Sequence, residues 1–152
     1  MNDAYVLVGN TNTRKSSLLR SLTGCFNRSV RDIALQGGGS IRLHARVAAL
    51  QESRTTPEEF VAELARSRCA HAAFSLWPEA HPHDAQRWPD AAAYLQALQE
   101  QGWRVAGLAV LGAHPWSPPK ALAAGGMVRV TEVLTQPVNL SAHRIRQHFG
   151  WI

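Results

Sequence analysis

Short apolar runs and helix-spaced apolar stripes alternate along the whole chain. Residues 5–8 form an apolar run that is typical of a buried strand. Residues 16–22 carry leucines at helical spacing, and Gly24 follows as a stop signal. Further strands are predicted over residues 30–36, 41–50, 70–77, 103–111 and 128–134, and further helices from residue 57 and over residues 91–101 and 141–149. The predicted order is therefore β-α-β-β-α-β-α-β-β-α.

Two local signals refine this order. A glycine-rich turn at residues 37–40 separates the second and third predicted strands and favours an antiparallel hairpin. At the next helix, Thr56 is a predicted N-cap, Pro57 suits the first helical position, and Glu59 completes a capping box. The alternation of strands and helices elsewhere predicts a mostly parallel sheet with helices on both faces, which is a three-layer α/β fold.

Length and composition narrow the class of protein. The 152 residues predict a single domain over residues 1–152, and a hydrophobic content of 45% supports a real core. No apolar run approaches the roughly 20 residues of a membrane helix, and residues 1–4 do not begin a secretory signal. Two cysteines do not make a disulfide framework. These features predict a cytoplasmic protein with reduced thiols and no membrane partner.

The chain is basic, with 16 lysines and arginines against 11 acids and a net charge of +5. Only Lys15 and Lys120 are lysines, so arginine supplies most of the positive charge. Arginine binds phosphate through a planar fork of donors. The charge therefore fits an anionic partner, and it equally fits an ordinary soluble basic protein, because net charge acts on solubility and steering rather than on a specific task.

The loop after the first predicted strand carries a phosphate-binding pattern. Gly9, Lys15 and Ser16 stand in the register of the Walker motif, and Arg14 replaces its second glycine. Backbone amides in such a loop form a concave anion cradle at a helix N-terminus. The lysine reaches the terminal phosphates, and the following hydroxyl coordinates Mg²⁺. The order strand, loop, helix is the one that this chemistry needs.

Residues 9–24 resemble the first motif of Era/TrmE-type GTPases, which runs G-x-x-N-x-G-K-S-S-L-L-N-x-L-T-G. The resemblance is tight over this first motif only, and it implies a P-loop NTPase-like fold that binds Mg²⁺ with ATP or GTP. It places Lys15 on the β- and γ-phosphates and Ser16 on the metal. The nucleotide-binding residues that it implies are Gly9, Asn12, Thr13, Arg14, Lys15, Ser16 and Ser17.

Two later motifs of that family are missing. Residues 51–54, Gln-Glu-Ser-Arg, stand where the family has Asp-x-x-Gly after the third strand. Residues 112–116 stand where the family reads guanine, and they lack its Asn/Thr-Lys-x-Asp motif. The chain is thus a divergent member of the class at most, and its pattern does not choose between ATP and GTP.

Arg14 occupies the position at which glycine permits a positive φ. A residue with a side chain adopts that conformation at a cost of about 1 kcal/mol. Two consequences are open from the sequence: the side chain crowds the phosphate, or its charge helps to hold the phosphate.

A hydrolase also needs an acid near the metal and a residue that positions water. Glu52, after the third predicted strand, is the first candidate for the catalytic acid, and Glu79 and Asp84 follow it. Carboxyl ends of parallel strands form the crevice where ligands bind in such sheets. Candidates for a switch hydroxyl are Ser29, Thr55 and Thr56.

Three other groups of residues have chemical potential. A zinc site could use Cys69, His71, His81 and His83, and the alternative is a small buried thiol with surface histidines. Trp77, Trp88 and Trp116 could wall a base pocket or pack at the core rim. The last predicted helix carries His143, Arg144, Arg146 and His148, which suit an anionic partner or a solvated helix face.

Three functions follow as hypotheses. The first is a nucleotide-binding P-loop protein that acts as a slow nucleoside-triphosphate hydrolase. The second is a catalytically inactive P-loop-fold module that binds a protein partner, which the missing Asp-x-x-Gly motif favours. The third is a basic nucleic-acid-binding protein whose loop meets backbone phosphate, and steep salt dependence would indicate it.

Overall fold

A computed structural model describes residues 2–152 of the chain. Six strands form one sheet in the order β2-β3-β4-β1-β5-β6. The strands are β1 (Asn2–Val8), β2 (Arg28–Ala34), β3 (Ser40–Arg46), β4 (His71–Leu76), β5 (Trp103–Leu111) and β6 (Met127–Val130). The helices are α1 (Lys15–Thr23), α2 (Pro57–Ser67), α3 (Ala91–Glu100) and α4 (Val138–Phe149), and a 3₁₀ turn spans Lys120–Leu122.

The sheet is mostly parallel. Among the strand pairs within residues 2–152, only β2–β3 is antiparallel, as the glycine-rich turn predicts, while β3–β4, β4–β1, β1–β5 and β5–β6 are parallel. The predicted order of strands and helices is confirmed, with the 3₁₀ turn as an unpredicted addition. Strand β1 lies between β4 and β5, so its carboxyl end opens near the middle of the sheet.

Helices cover both faces of the sheet. Along β1, Tyr5 and Leu7 point to the layer of α1 and α4, while Val6 and Val8 point to the layer of α2 and α3. This alternation is the period-2 geometry of a strand that is buried on both faces. The predicted three-layer α/β architecture is therefore confirmed. No helix in the described part of the chain has the length and hydropathy to cross a bilayer.

The two largest differences from the predicted strand boundaries are strands that end four residues early, β3 and β6. Strand β3 ends at Arg46, and the apolar residues 47–50 belong to a buried turn in which the Leu50 N–H donates to Ser75 O at 3.2 Å. Strand β6 ends at Val130, because residues 131–136 form a turn. In this turn, the N–H groups of Thr135 and Gln136 donate to Glu132 O. An apolar run alone does not separate a strand from a buried turn.

Gly125 provides a test of the close packing beside β5. A Cβ atom built on Gly125 would lie 1.8 Å from the backbone oxygen of Ala106, whereas one on Gly37 would meet no atom within 4 Å. Gly125→Ala forces the backbone apart, and we expect it to lower the free energy of unfolding by at least about 2 kcal/mol. Gly37→Ala is the matched control and should change it by less than about 1 kcal/mol. Urea unfolding measures both, and equal stabilities would contradict the packing described.

Candidate functional site

The candidate site begins where β1 ends near the centre of the sheet. The Gly9 N–H donates to Leu76 O at 3.1 Å, which ties the loop to the end of β4. A Cβ atom on Gly9 would lie 2.5 Å from Thr13 Oγ1 and 3.1 Å from Leu111 Cβ. Glycine is thus required here because the loop folds back tightly against its neighbours.

The loop backbone curls through two left-handed residues. Asn12 has a φ of 66° and Arg14 a φ of 63°, with Thr13 between them outside the left-handed region. Within residues 2–152, no hydrogen bond uses the backbone N–H groups of residues 12–17. Alternating conformations of this kind form concave anion-binding nests, and the first turn of a helix adds unpaired donors and the positive end of its dipole.

Lys15 is folded into this loop. Its Nζ donates to Asn10 O at 2.6 Å and to Thr13 Oγ1 at 3.3 Å, and the Thr13 hydroxyl donates to Asn10 O at 2.7 Å. The residue is only 7% exposed. Burial lowers the pKa of Lys15 from its usual 10.5 to about 8, and the negative charge of Glu52 opposes this shift. The ammonium has three donors, and two of them are satisfied by the loop.

Arg14 does not plug the loop. Its left-handed conformation agrees with the expectation for this position, and its guanidinium donates to Gln136 O at 3.1 Å and Leu134 O at 3.4 Å. The side chain is therefore held by the segment between β6 and α4. Of the two consequences that the sequence leaves open, crowding by the guanidinium does not occur in this conformation.

A cavity of about 220 Å³ opens above the start of α1. It brings Glu52 and Trp77 together with Lys15 and Ser16. Asn12, Arg14, Ser17 and the unpredicted Thr11 complete its walls, whereas Gly9 and Thr13 shape the loop from behind. Within residues 2–152, the Glu52 carboxylate makes no hydrogen bond or ion pair. A free carboxylate, a hydroxyl and an ammonium thus line one small polar cavity.

Gln51 explains how Glu52 reaches this cavity. Its fully buried side chain donates to Trp77 O at 3.0 Å and to Pro89 O at 3.1 Å, and it accepts from the Trp77 N–H at 2.9 Å. The amide thereby fixes the turn that bears Glu52 against the end of β4. Nothing in the sequence pattern indicated this role for Gln51.

The other acidic and hydroxyl candidates lie outside the cavity. Glu79 is exposed and lies 3.6 Å from His114 Nε2, while Asp84 accepts the N–H groups of residues 86 and 87 in a local turn. Ser29 lies on the edge strand β2. The Thr55 hydroxyl accepts from Arg46, and Thr56 forms the predicted capping box of α2.

The zinc hypothesis is wrong. Cys69 and His71 stand before and at the start of β4, whereas His81 and His83 follow its end, so the two pairs lie at opposite edges of the sheet. A six-residue strand spans about 20 Å, which no single metal bridges. Within residues 2–152, no group of three or more His, Cys, Asp or Glu residues could hold a metal.

The three tryptophans have different environments. Trp77 lines the cavity, as a base-pocket wall would, and Trp116 packs against the core layer of α2 and α3. Trp88 is buried, with the guanidinium carbons of Arg54 and Arg87 at 5.3 Å and 5.1 Å from its ring. Only Trp77 is therefore available to a ligand of the Lys15 cavity.

The basic residues of α4 bind mainly within the chain. Arg146 donates to Ser21 O at 2.6 Å, and Arg144 donates to Glu132 at 3.4 Å. These contacts favour the packed-helix interpretation over an anionic-partner surface.

No family model, no curated protein and no solved structure matches this chain. The resemblance of residues 9–24 to the first motif of Era/TrmE-type GTPases therefore stays a prediction.

Proposed function

We propose that the protein binds the phosphate groups of a nucleoside triphosphate in the loop between β1 and α1. The observation that carries the proposal is the buried Lys15 ammonium beside the unpaired backbone N–H groups of residues 12–17. A buried charge is costly unless a partner of opposite charge compensates it. A phosphate group would supply that compensation to the ammonium and to the amides at once.

Ser16 and Glu52 suit the metal of such a ligand. Mg²⁺ in nucleotide sites keeps several waters and uses one or two protein oxygens together with phosphate oxygens. The Ser16 hydroxyl would bind it directly, and the Glu52 carboxylate lines the same cavity. This arrangement does not need the three-ligand cluster that the described residues lack.

Thermal melting with ligands tests the binding claim. We expect Mg-ATP, Mg-GTP or Mg-pyrophosphate at about 100 times its dissociation constant to add about 2.7 kcal/mol to the free energy of unfolding. Lys15→Ala should lose this gain, and Lys120→Ala, which alters the chain's other and exposed lysine, should keep it. If none of the three ligands raises the melting temperature of the wild-type protein, the proposal fails.

Glu52 favours slow hydrolysis of the bound nucleotide, because its carboxylate is free to position or activate water. We expect Glu52→Gln to keep ligand binding within a few-fold and to lower phosphate release by about 100-fold. Glu79→Gln, which alters an exposed acid outside the cavity, is the control and should leave the rate unchanged. Phosphate release in single-turnover mixtures measures both variants.

Equal rates for Glu52→Gln and the wild type would contradict a catalytic role for Glu52. Ligand binding without any phosphate release in the wild type would instead favour the inactive interaction module. Gln51 supports the inactive module, because this residue, a neutral amide with hydrogen bonds to Trp77, stands where the family has its acid.

A further inference from the structure

A second groove adjoins the phosphate cavity. It has a volume of about 430 Å³ and lies between α1, the loop after α1 and the end of β3. Ser16 and Glu52 line both spaces, so they form the common wall. The groove falls in the size range of small-molecule sites, about 300–1,000 Å³, whereas the cavity over the loop is smaller.

Arg46 gives this groove a rigid, positively charged wall. Its guanidinium donates to Glu63 Oε1 at 2.8 Å, Ser53 Oγ at 3.0 Å and Thr55 Oγ1 at 2.8 Å. The side chain is 12% exposed. Because its partners fix its orientation before any ligand arrives, little conformational entropy would be lost on binding.

Arg20 supplies the free charge. It is exposed on α1 and lines the groove, and its guanidinium has no hydrogen bond or ion pair within the described residues 2–152. Among the described residues that line the groove, the charges are one free guanidinium, one guanidinium that is paired with Glu63, and the Glu52 carboxylate. An anionic group is therefore favoured beside Arg20 and disfavoured beside Glu52.

Phe26 stands at the rim of the same groove. It is 75% exposed, the largest exposure among the large apolar side chains of the described chain. An aromatic ring in that position offers a face on which a planar ligand can stack. Asn27 follows it in the groove wall and adds an amide that can both donate and accept.

We propose that this groove binds a second small molecule, distinct from the nucleotide, which carries an aromatic ring and an anionic group. The ring stacks on Phe26, the anionic group pairs with Arg20, and the far end of the molecule meets Glu52 and Ser16. The binding itself depends only on the groove, while its position beside the terminal phosphate rests on the proposed function. The second ligand thus lies beside the phosphate chain, on the β3 side.

Phenyl phosphate is a suitable probe, because it combines the two recognition elements. The experiment titrates it into the ¹⁵N-labelled full chain that is saturated with Mg-pyrophosphate, and follows the backbone N–H resonances. We expect shifts at residues 20, 26 and 27. Arg20→Ala and Phe26→Ala should each weaken binding about tenfold or more. Arg66→Ala, which removes an exposed arginine on α2 outside the groove, should leave it unchanged.

Two controls separate this inference from the proposed function. In Lys15→Met, pyrophosphate binding is lost if the proposed function holds, but phenyl phosphate must still shift residues 20, 26 and 27. With Mg-ATP in place of Mg-pyrophosphate, phenyl phosphate must also still bind. Shifts confined to residues 11–17, or equal affinity of Arg20→Ala and the wild type, would overturn the inference. Exclusion by Mg-ATP but not by Mg-pyrophosphate would also overturn it, because the groove would then hold the nucleoside.

Discussion

Replacing Lys15 by Met will make the ligand-free protein more stable at pH 7 while removing its phosphate binding. Burial lowers the pKa of the Lys15 ammonium to about 8, so the folded state bears a cost for keeping this charge. We expect a gain of about 1–3 kcal/mol in the free energy of unfolding, since one pKa unit corresponds to about 1.4 kcal/mol and the site keeps some solvent contact. Phosphate affinity should fall by about 100-fold or more, because several charge-assisted hydrogen bonds are lost together.

The gain depends on pH in a defined direction. Below pH 8, the folded and the unfolded wild-type chain both hold the Lys15 proton, and the whole cost applies. Between pH 8 and 10.5, the unfolded chain holds a proton that the folded chain has released, so wild-type stability rises with pH. The difference in the free energy of unfolding between Lys15→Met and the wild type should therefore be largest near pH 7. It should approach zero near pH 10.5.

Urea unfolding at a series of pH values measures this difference. Lys120→Met is the matched control, because Lys120 is exposed on the 3₁₀ turn. It should change stability by less than about 0.5 kcal/mol at every pH. A Lys15→Met variant that is less stable than the wild type at pH 7 would show that the ammonium is already well compensated by the loop.

Removing the Glu63 carboxylate will lower the free energy of unfolding by about 3–5 kcal/mol. This is the largest loss of stability that we expect from a single substitution on α2. Glu63 Oε2 lies 2.7 Å from His44 Nε2, and Glu63 Oε1 lies 2.8 Å from Arg46 Nη1. The three side chains are between 8% and 12% exposed. Glu63→Ala leaves the Arg46 charge buried without its partner, and a buried unpaired charge is strongly destabilising.

Glu58→Ala is the matched control for this substitution. Glu58 lies on the exposed side of the same helix, in its first turn, where a carboxylate contributes about 0.3–1 kcal/mol through the helix dipole. The double variant Glu63→Ala with Arg46→Met should recover part of the loss, because the buried Arg46 charge is then removed together with its partner. Comparable stabilities of Glu63→Ala and Glu58→Ala would contradict the buried ion-pair description.

Elements with a strong periodic pattern could be predicted from the sequence. Strand β5 has the predicted bounds 103–111, and α2 begins at the predicted capping box. Errors arose where apolar residues belong to a turn, as at residues 47–50 and at 133 and 134, because an apolar pair or run does not by itself impose a strand. At residues 47–50, the turn is fixed by a hydrogen bond from Leu50 to the distant Ser75. At residues 131–136, it is fixed by local hydrogen bonds to Glu132 O.

The strand, loop and helix at residues 2–23 could be predicted for the same local reason, because these residues follow one another along the chain. The approach of Glu52 to Lys15 depends instead on the buried amide of Gln51, which contacts residues 26 and 38 positions away. The zinc hypothesis failed because the two pairs of ligands, although close in sequence, are separated by the full length of β4. A single sequence holds no signal for contacts of this range.

The central position of β1 has a consequence for how the chain is made. Its two sheet partners, β4 and β5, end only at residues 76 and 111. At a translation rate of about 5–20 residues per second, β1 waits roughly 5–20 seconds after its synthesis for its second partner. During that time its unpaired backbone edges and its two apolar faces can contact the wrong segments. The yield of native protein should therefore respond to slower translation and to chaperones that shield nascent strands.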